Sequence, residues 1–324
     1  MRIGGIDPVI WQHHAWRNRV QSFLLIAAMG GFLALLGWVL WGVAGIIMLL
    51  VMGVVGVLFN PTLSPWLVMR LYRASLIRPD HSPALWSVLS SLAQRAGLPV
   101  APQLYYVPSQ TLNAFAVGTR QQAAIAVTDG LLRQMDMRQL AGVLAHEISH
   151  IRNNDLWVMG LADMFSRATR LLSLLGQVLL LLYLPLILFS IVSINWFAIA
   201  MLVFAPSLSA LAQLALSRTR EYDADLNAAR LTGDPDGLAG ALAKIEHAQG
   251  GWWERIFMPG RKEPQPSLLR THPQTEKRIS RLMALKPELA RVNTLPIDHM
   301  FDAHSVFGSP VTHPPRRHFN GLWY

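Results

Sequence analysis

Residues 146–150 read His-Glu-Ile-Ser-His, two imidazoles four residues apart with a carboxylate beside the first. On a helix, positions i and i+4 share a face, so His146 and His150 can aim ring nitrogens at one tetrahedral zinc about 2.0–2.1 Å away. Glu147 cannot comfortably reach the same position. It is set instead to take a proton from water that the metal has acidified. With 11 histidines in 324 residues, such a pattern arises by chance in about one chain per hundred of ordinary composition. Two conditions therefore apply: the motif must lie on a helix, and a third ligand must exist elsewhere, because a catalytic zinc takes three protein ligands and keeps a fourth position open.

The local pattern meets the first condition. Asp136 followed by Gln139 resembles a capping box. Beyond it Leu140, Leu144, Ile148 and Ile151 form one apolar stripe, while Val143, His146, Glu147 and His150 fall on another face. For the third ligand, the pattern continuing His-x-x-Gly-x-x-His is excluded, since Asn153 and Leu156 hold those positions. A glutamate on a later helix with an aspartate four residues on is the other common solution, and Glu221-Tyr-Asp-Ala-Asp225 supplies it. Glu221 can bind zinc while Asp225 braces the first histidine, and Asp223 is turned away. Taken alone, this stretch reads better as a solvated charged face. The His-Glu-Ile-Ser-His motif reverses that order.

The elements that must position these residues include membrane spans. Hydrophobic residues make up 52% of the chain and charged ones 15%, and the mean hydropathy is +0.32, too apolar for an ordinary soluble enzyme. No Asp, Glu, Lys or Arg occurs from Val20 to Met69, or from Leu171 to Ser217. Each run is long enough for two spans of about 20 residues. The first breaks around Trp41-Gly42 and the second around Ser193-Ile194-Asn195, beside tryptophans suited to the headgroup level. We expect two helical hairpins and four spans, with Pro185 and Pro206 inside the second pair. The first run is too long for a cleaved leader. The absence of cysteine excludes disulfides and suits a reducing compartment.

Arginine sets the orientation. Arg17, Arg19, Arg70, Arg73, Arg78, Arg167, Arg170, Arg218 and Arg220 flank the spans at one end, and the opposite turns carry none. The positive-inside rule then places both termini and the active site in the cytoplasm of a cell (inner) membrane protein. The net charge of +9 is met by anionic lipid. No basic stripe interleaved with aromatics appears, so nucleic acid is not expected as a partner.

The expected fold class is a multi-pass α-helical membrane protein with a cytoplasmic α+β zincin-like domain, an active-site helix plus a small antiparallel sheet. Its domains read as an N-terminal segment 1–19, hairpin 20–60, first catalytic half 61–170, hairpin 171–216, second catalytic half 217–288 and a flexible tail 289–324. In the first half, 82–97 predicts a helix capped by Ser82, with Pro83 at its first position and Gly97 just past its end. Residues 103–107, 113–118 and 123–128 predict strands.

With these stretches in order, the chain resembles the HtpX family of membrane zinc metalloproteases, relatives of the CAAX prenyl proteases. The resemblance covers roughly residues 20–285 and rests on Asn-Ala-Phe-Ala-Val-Gly (113–118), the segment 145–155 around His-Glu-Ile-Ser-His, Ser-Arg-Thr-Arg-Glu-Tyr-Asp-Ala-Asp (217–225) and Thr-His-Pro-Gln-Thr-Glu-Lys-Arg-Ile (271–279). It implies a split gluzincin-like domain and ATP-independent cleavage of misfolded or damaged membrane proteins, with misfolded or unassembled membrane proteins as partners. It implies one Zn2+ per chain on His146, His150 and Glu221, with Glu147 as general base. It implies His272 and Arg278 as donors to the substrate carbonyl and developing oxyanion, although by residues alone His272 is equally a helix-entry histidine before Pro273. Asn113 and the backbone of Ala114, Phe115 and Ala116 correspond to a strand that holds peptide by strand addition, or to a plain sheet strand. Asp155 also matches, with no role attached.

Three rival readings meet the same residues. A non-catalytic scaffold has no need of Glu147. A zinc transporter would place ligands within its spans, and these carry no His, Asp or Glu. A CAAX-type endopeptidase remains the enzyme alternative, ranked lower because four spans build little membrane wall. Tail residues His299, His304, His313 and His318 read as solvated rather than chelating.

Overall fold

The computed structural model describes residues 8–58, 64–189, 195–248 and 275–285. Its elements run α1 (Pro8–Leu58), α2 (Pro65–Leu71), β1 (Ser75–Leu76), α3 (Pro83–Ala96), β2 (Gln103–Val107), β3 (Ala114–Gly118), β4 (Ala123–Thr128), α4 (Asp129–Gln134), α5 (Met137–Asn153), α6 (Asp155–Leu188), α7 (Trp196–Thr232), α8 (Pro235–Ala248) and α9 (Thr275–Ala284). Two compact units emerge. One draws its described residues from 1–15, 62–156 and 220–324, and the other comprises 16–61 and 157–219.

The second unit is an apolar bundle. Trp16–Val51, Asp155–Ile187 and Trp196–Thr232 are each long and apolar enough to cross a membrane. Helix α1 is broken at Gly42 (φ 61, ψ −142), where only glycine adopts such backbone without strain. A Cβ on Gly45 would overlap the Gly37 carbonyl, whereas an unbroken helix would hold these residues about 12 Å apart. The two arms of α1 therefore fold back on each other at Gly42. Asn195 Oδ1 caps α7 by accepting from the backbone N–H of Phe197 and Ala198. Inside the bundle small polar groups meet: Ser166 Oγ lies 3.1 Å from Ser209 Oγ, and Ser173 Oγ donates to the Leu202 carbonyl. Outside, leucine and phenylalanine dominate, Leu181 and Phe189 among them. The core between them is mostly leucine, with Leu33, Leu36, Leu49 and Leu172 packed around Ala205, so an apolar exterior covers an apolar interior crossed by a few hydrogen bonds.

The first unit is built on a four-stranded sheet of order β1-β2-β4-β3. The sheet is mixed, not antiparallel as expected: β1–β2 and β3–β4 are antiparallel, but β2 and β4 run parallel. The short connection 119–122 forces β3 and β4 into a hairpin. The longer one, 108–113, carries the chain past the central position, which β4 then fills beside β2. Alternation divides the strands between two cores. Leu104, Ile125 and Val127 face the helices α3 and α5, while Phe115, Ala124 and Ala126 pack with Val68 and Met69 of α2.

Helix α5 carries His-Glu-Ile-Ser-His. Its capping box is formed, with Asp136 accepting from the Gln139 N–H and Gln139 Oε1 accepting from the Asp136 N–H. Ser82 by contrast caps α3 without a side-chain hydrogen bond. Leu140, Leu144, Ile148 and Ile151 are buried as the stripe predicts. On another side α8 comes so near that a Cβ at Gly142 would stand 2.8 Å from the Leu238 backbone nitrogen. Helix α5 is thus clamped between sheet and α8. That is what fixes the direction of its histidines.

Candidate metal centre and active site

His146 and His150 project from α5 with their Nε2 atoms 3.1 Å apart. Glu221 reaches across from α7, its Oε2 3.4 Å from His146 Nε2 and its Oε1 3.5 Å from His150 Nε2. These three residues each offer a ligand atom within 4.8 Å of the others. Ligands at about 2.0–2.1 Å from one tetrahedral ion stand about 3.3–3.4 Å apart. The His146–His150 distance and the two approaches of Glu221, which end on different oxygens of its carboxylate, are of that order.

Each histidine is held from behind. His146 Nδ1 lies 3.0 Å from Asp225 Oδ1, and His150 Nδ1 lies 2.8 Å from Asp155 Oδ2. Each aspartate is held in turn by an arginine. Arg278 grips Asp225 as a fork (Nε to Oδ2 2.7 Å, Nη2 to Oδ1 2.6 Å) and also approaches Glu221 Oε2 at 3.1 Å. Arg220 Nη1 donates to Asp155 Oδ1 at 3.0 Å. With both Nδ1 atoms directed at carboxylates, both Nε2 atoms are left to face the cluster centre, the arrangement that raises ligand basicity in zinc sites.

Charge bookkeeping points the same way. Glu147, Asp155, Glu221 and Asp225 are buried carboxylates, and Arg220 and Arg278 are buried guanidiniums. Four negative and two positive charges leave −2, which the interior does not tolerate uncompensated. In the metal-free state protons make up part of the deficit. Burial works against a charged His146, but hydrogen bonds with Asp225 and Glu221 outweigh it and hold the pKa above the usual value. Burial likewise opposes charge on His150, and Asp155 and Glu221 carry its pKa well above the ordinary range. A divalent cation removes the same deficit. The donor set, the spacing and the charge all fit zinc.

Among the other residues singled out from sequence, Glu147 is buried on α5 beside His146, close enough for its charge to favour protonated Arg278. Asp223 is turned from the cluster, accepting from Asn153 Nδ2 at 2.9 Å. Residues Ala114–Gly118 form β3, the sheet edge beyond β4, which packs against α5. Asn113 precedes it, sharing Thr128 Oγ1 through its backbone. His272 and the four tail histidines lie outside the described residues. Helix α9, which carries Arg278, is tied to α7 a second time by Arg281, whose guanidinium lies 4.0 Å from the centre of the Tyr222 ring.

Asp155 and Arg220 acquire a place that sequence reasoning did not give them. In a continuous helix, residues five apart point about 140° away from each other. Here Asn154 takes the left-handed conformation (φ 54, ψ 36) and closes α5, so Asp155 opens α6 pointing back at His150. The available signal was Asn-Asn-Asp directly after the helix, since asparagine tolerates that conformation better than most residues.

With the geometry in view, the family profile of peptidase family M48 matches residues 79–286. The chain belongs to peptidase family M48. Its M48 relatives include a protease HtpX homologue from Desulfatibacillum aliphaticivorans, 34% identical over 304 residues, covering 84% of this chain and 91% of that protein. Another, from Acaryochloris marina (strain MBIC 11017), is 36% identical over 304 residues, covering 85% and 97%. Among solved structures, the S. mikatae Ste24p crystal structure aligns at TM-score 0.43 and 19% identity, over 86% of this chain and 67% of that one. Membership of M48, HtpX kinship and three membrane-length apolar helices make this chain a membrane metalloendopeptidase.

Proposed function

We propose that the chain is a zinc endopeptidase of the cell (inner) membrane that cleaves misfolded or damaged membrane proteins, with His146, His150 and Glu221 as zinc ligands. The observation that carries this reading is the convergence of His146, His150 and Glu221, each offering a ligand atom within 4.8 Å of the others. When bound, zinc supplies Lewis acidity that lowers the pKa of water and polarises a carbonyl.

The chain's own residues do the rest. Glu147 takes the proton from the attacking water and passes it to the departing amine. Asp225 and Asp155 keep the rings of His146 and His150 in the tautomer and orientation that present Nε2. Arg278, taken up by Asp225 and Glu221, is assigned to holding those two carboxylates, which leaves His272 as donor to the developing oxyanion. The edge position of β3 supports docking of an extended peptide along 113–116 by strand addition.

The spans number four in this reading, with Gly42 as the turn of the first pair, and the arginine distribution puts both termini and the active site on the cytoplasmic side. The test is reconstitution. Purified protein stripped with chelator should lose cleavage of an unfolded membrane protein and regain it with one zinc per chain. Undiminished cleavage by the stripped protein would refute the proposal.

A further inference from the structure

Helix α2 has the wrong outer face for water. Val68 and Met69 are buried against the sheet, and Tyr72 just beyond the helix packs with them. The opposite side of a surface helix ordinarily carries polar residues. Here it carries Trp66 (62% exposed), Leu67 (43%) and Leu71 (56%), and Leu76 of β1 is exposed just beyond. Single exposed apolar residues need no explanation, but a cluster of this kind does.

The polar residues that accompany this face are all of one sign. Arg70, Arg73 and Arg78 are exposed, and no Asp or Glu occurs between Asp7 and Asp80. The Arg70 guanidinium lies 5.3 Å from the centre of the Trp66 ring, so the cation sits over the aromatic rather than away from it. Tryptophan favours the headgroup level of a bilayer, and arginines beside it attract anionic lipid. The sequence context agrees. Leu58 ends α1 and Pro65 begins α2, so along the chain α2 follows a membrane-length apolar helix after only a short connection.

We infer that α2 is an interfacial anchor. Trp66, Leu67 and Leu71 dip into the boundary between headgroups and acyl chains, and Arg70, Arg73 and Arg78 contact anionic lipid. Through Val68 and Met69 the bilayer surface then bears on the sheet to which the substrate-edge strand β3 belongs. The inference is independent of the zinc assignments. It concerns the surface of one unit and the chemistry of lipid, an established companion of this chain.

The cysteine-free sequence allows spin labels to be placed singly. Leu67→Cys and Leu71→Cys would be compared with Leu181→Cys, on the apolar exterior, and Ser90→Cys, exposed on α3. The full chain is reconstituted in vesicles of phosphatidylcholine with phosphatidylglycerol, and relaxation by oxygen and by a water-soluble nickel chelate is measured. Labels at 67 and 71 should be relaxed by oxygen in preference to nickel, as at 181, and should shift toward the behaviour of position 90 when phosphatidylglycerol is omitted. Nickel access equal to that at position 90 would overturn the inference. Shielding from both reagents would overturn it too, because the face would then be covered by protein, either the chain's own tail or a second copy. Insensitivity to phosphatidylglycerol would remove the arginines from it. Whether a label prevents folding is read from the circular dichroism and gel-filtration profile of each labelled protein, so each outcome comes from folded protein.

Discussion

Asp155 lies 2.8 Å from the Nδ1 of His150 and is held at its other oxygen by Arg220, which repeats on the second histidine what Asp225 and Arg278 do for the first. The two chains of contact, His146–Asp225–Arg278 and His150–Asp155–Arg220, come from four helices. Each ends on a guanidinium that is itself buried. The two proposed zinc-binding histidines are thereby held by pairs that cannot turn to solvent.

Asp155→Asn should therefore weaken zinc binding about 10–100-fold, as loss of a carboxylate behind a ligand histidine usually does. Asparagine preserves the shape and keeps an acceptor facing Arg220, which an alanine would take away. Competition with a graded chelator series reads the affinity directly. Wild-type retention of zinc by this variant would mean that Asp155 serves the fold and not the metal.

Glu221 and Asp225 should separate in the same assay. Glu221→Ala removes a ligand, and two histidines with water make a weak site, so zinc should be lost on dialysis. Asp225→Ala should retain a measurable site, weaker by about 10–100-fold. Complete loss in Asp225→Ala with retention in Glu221→Ala would reverse the two roles.

The effect of pH follows from the histidines. Both have pKa values raised above 6.5 in the metal-free fold. A raised folded pKa contributes stability that is full below the unfolded value and is lost as pH rises through the folded value. Zinc requires the neutral rings, so protons compete with it over that interval. The increase in Tm on adding zinc should grow as pH rises from about 6.5. Paired melts of metal-free and zinc-loaded protein across this range check it, and an increment that falls with pH would contradict the ligand assignment.

Topology can be tested in the same cysteine-free background. Trp41→Cys, at the turn of α1, should react with an impermeant reagent in intact cells. Gln121→Cys, in the β3–β4 turn, should react only after permeabilisation. Labelling of position 121 from outside would invert the orientation.

Much of the site was legible before the structure. The i, i+4 spacing of His146 and His150, and of Glu221 and Asp225, depends on helix periodicity alone, and the capping box at Asp136 announced the start of the first helix. The β2–β4 pairing was not legible, because which strand fills a central position depends on long-range packing and not on turn residues. Nor was Asp155, since its approach to His150 depends on one left-handed residue, Asn154, that breaks the period on which the reading relied. Arg278 could be picked out by resemblance, but its grip on Asp225 and Glu221 depends on where α9 docks.

The central claim is that Glu147 works as the base beside a zinc held by its neighbours. Glu147→Gln keeps the side chain's size, removes its basicity and leaves every proposed ligand in place. The measurement is turnover of an unfolded membrane substrate by purified Glu147→Gln protein whose zinc content has been determined in the same sample. We predict one zinc per chain and turnover reduced by at least about 100-fold. Wild-type turnover at full zinc occupancy would contradict the account.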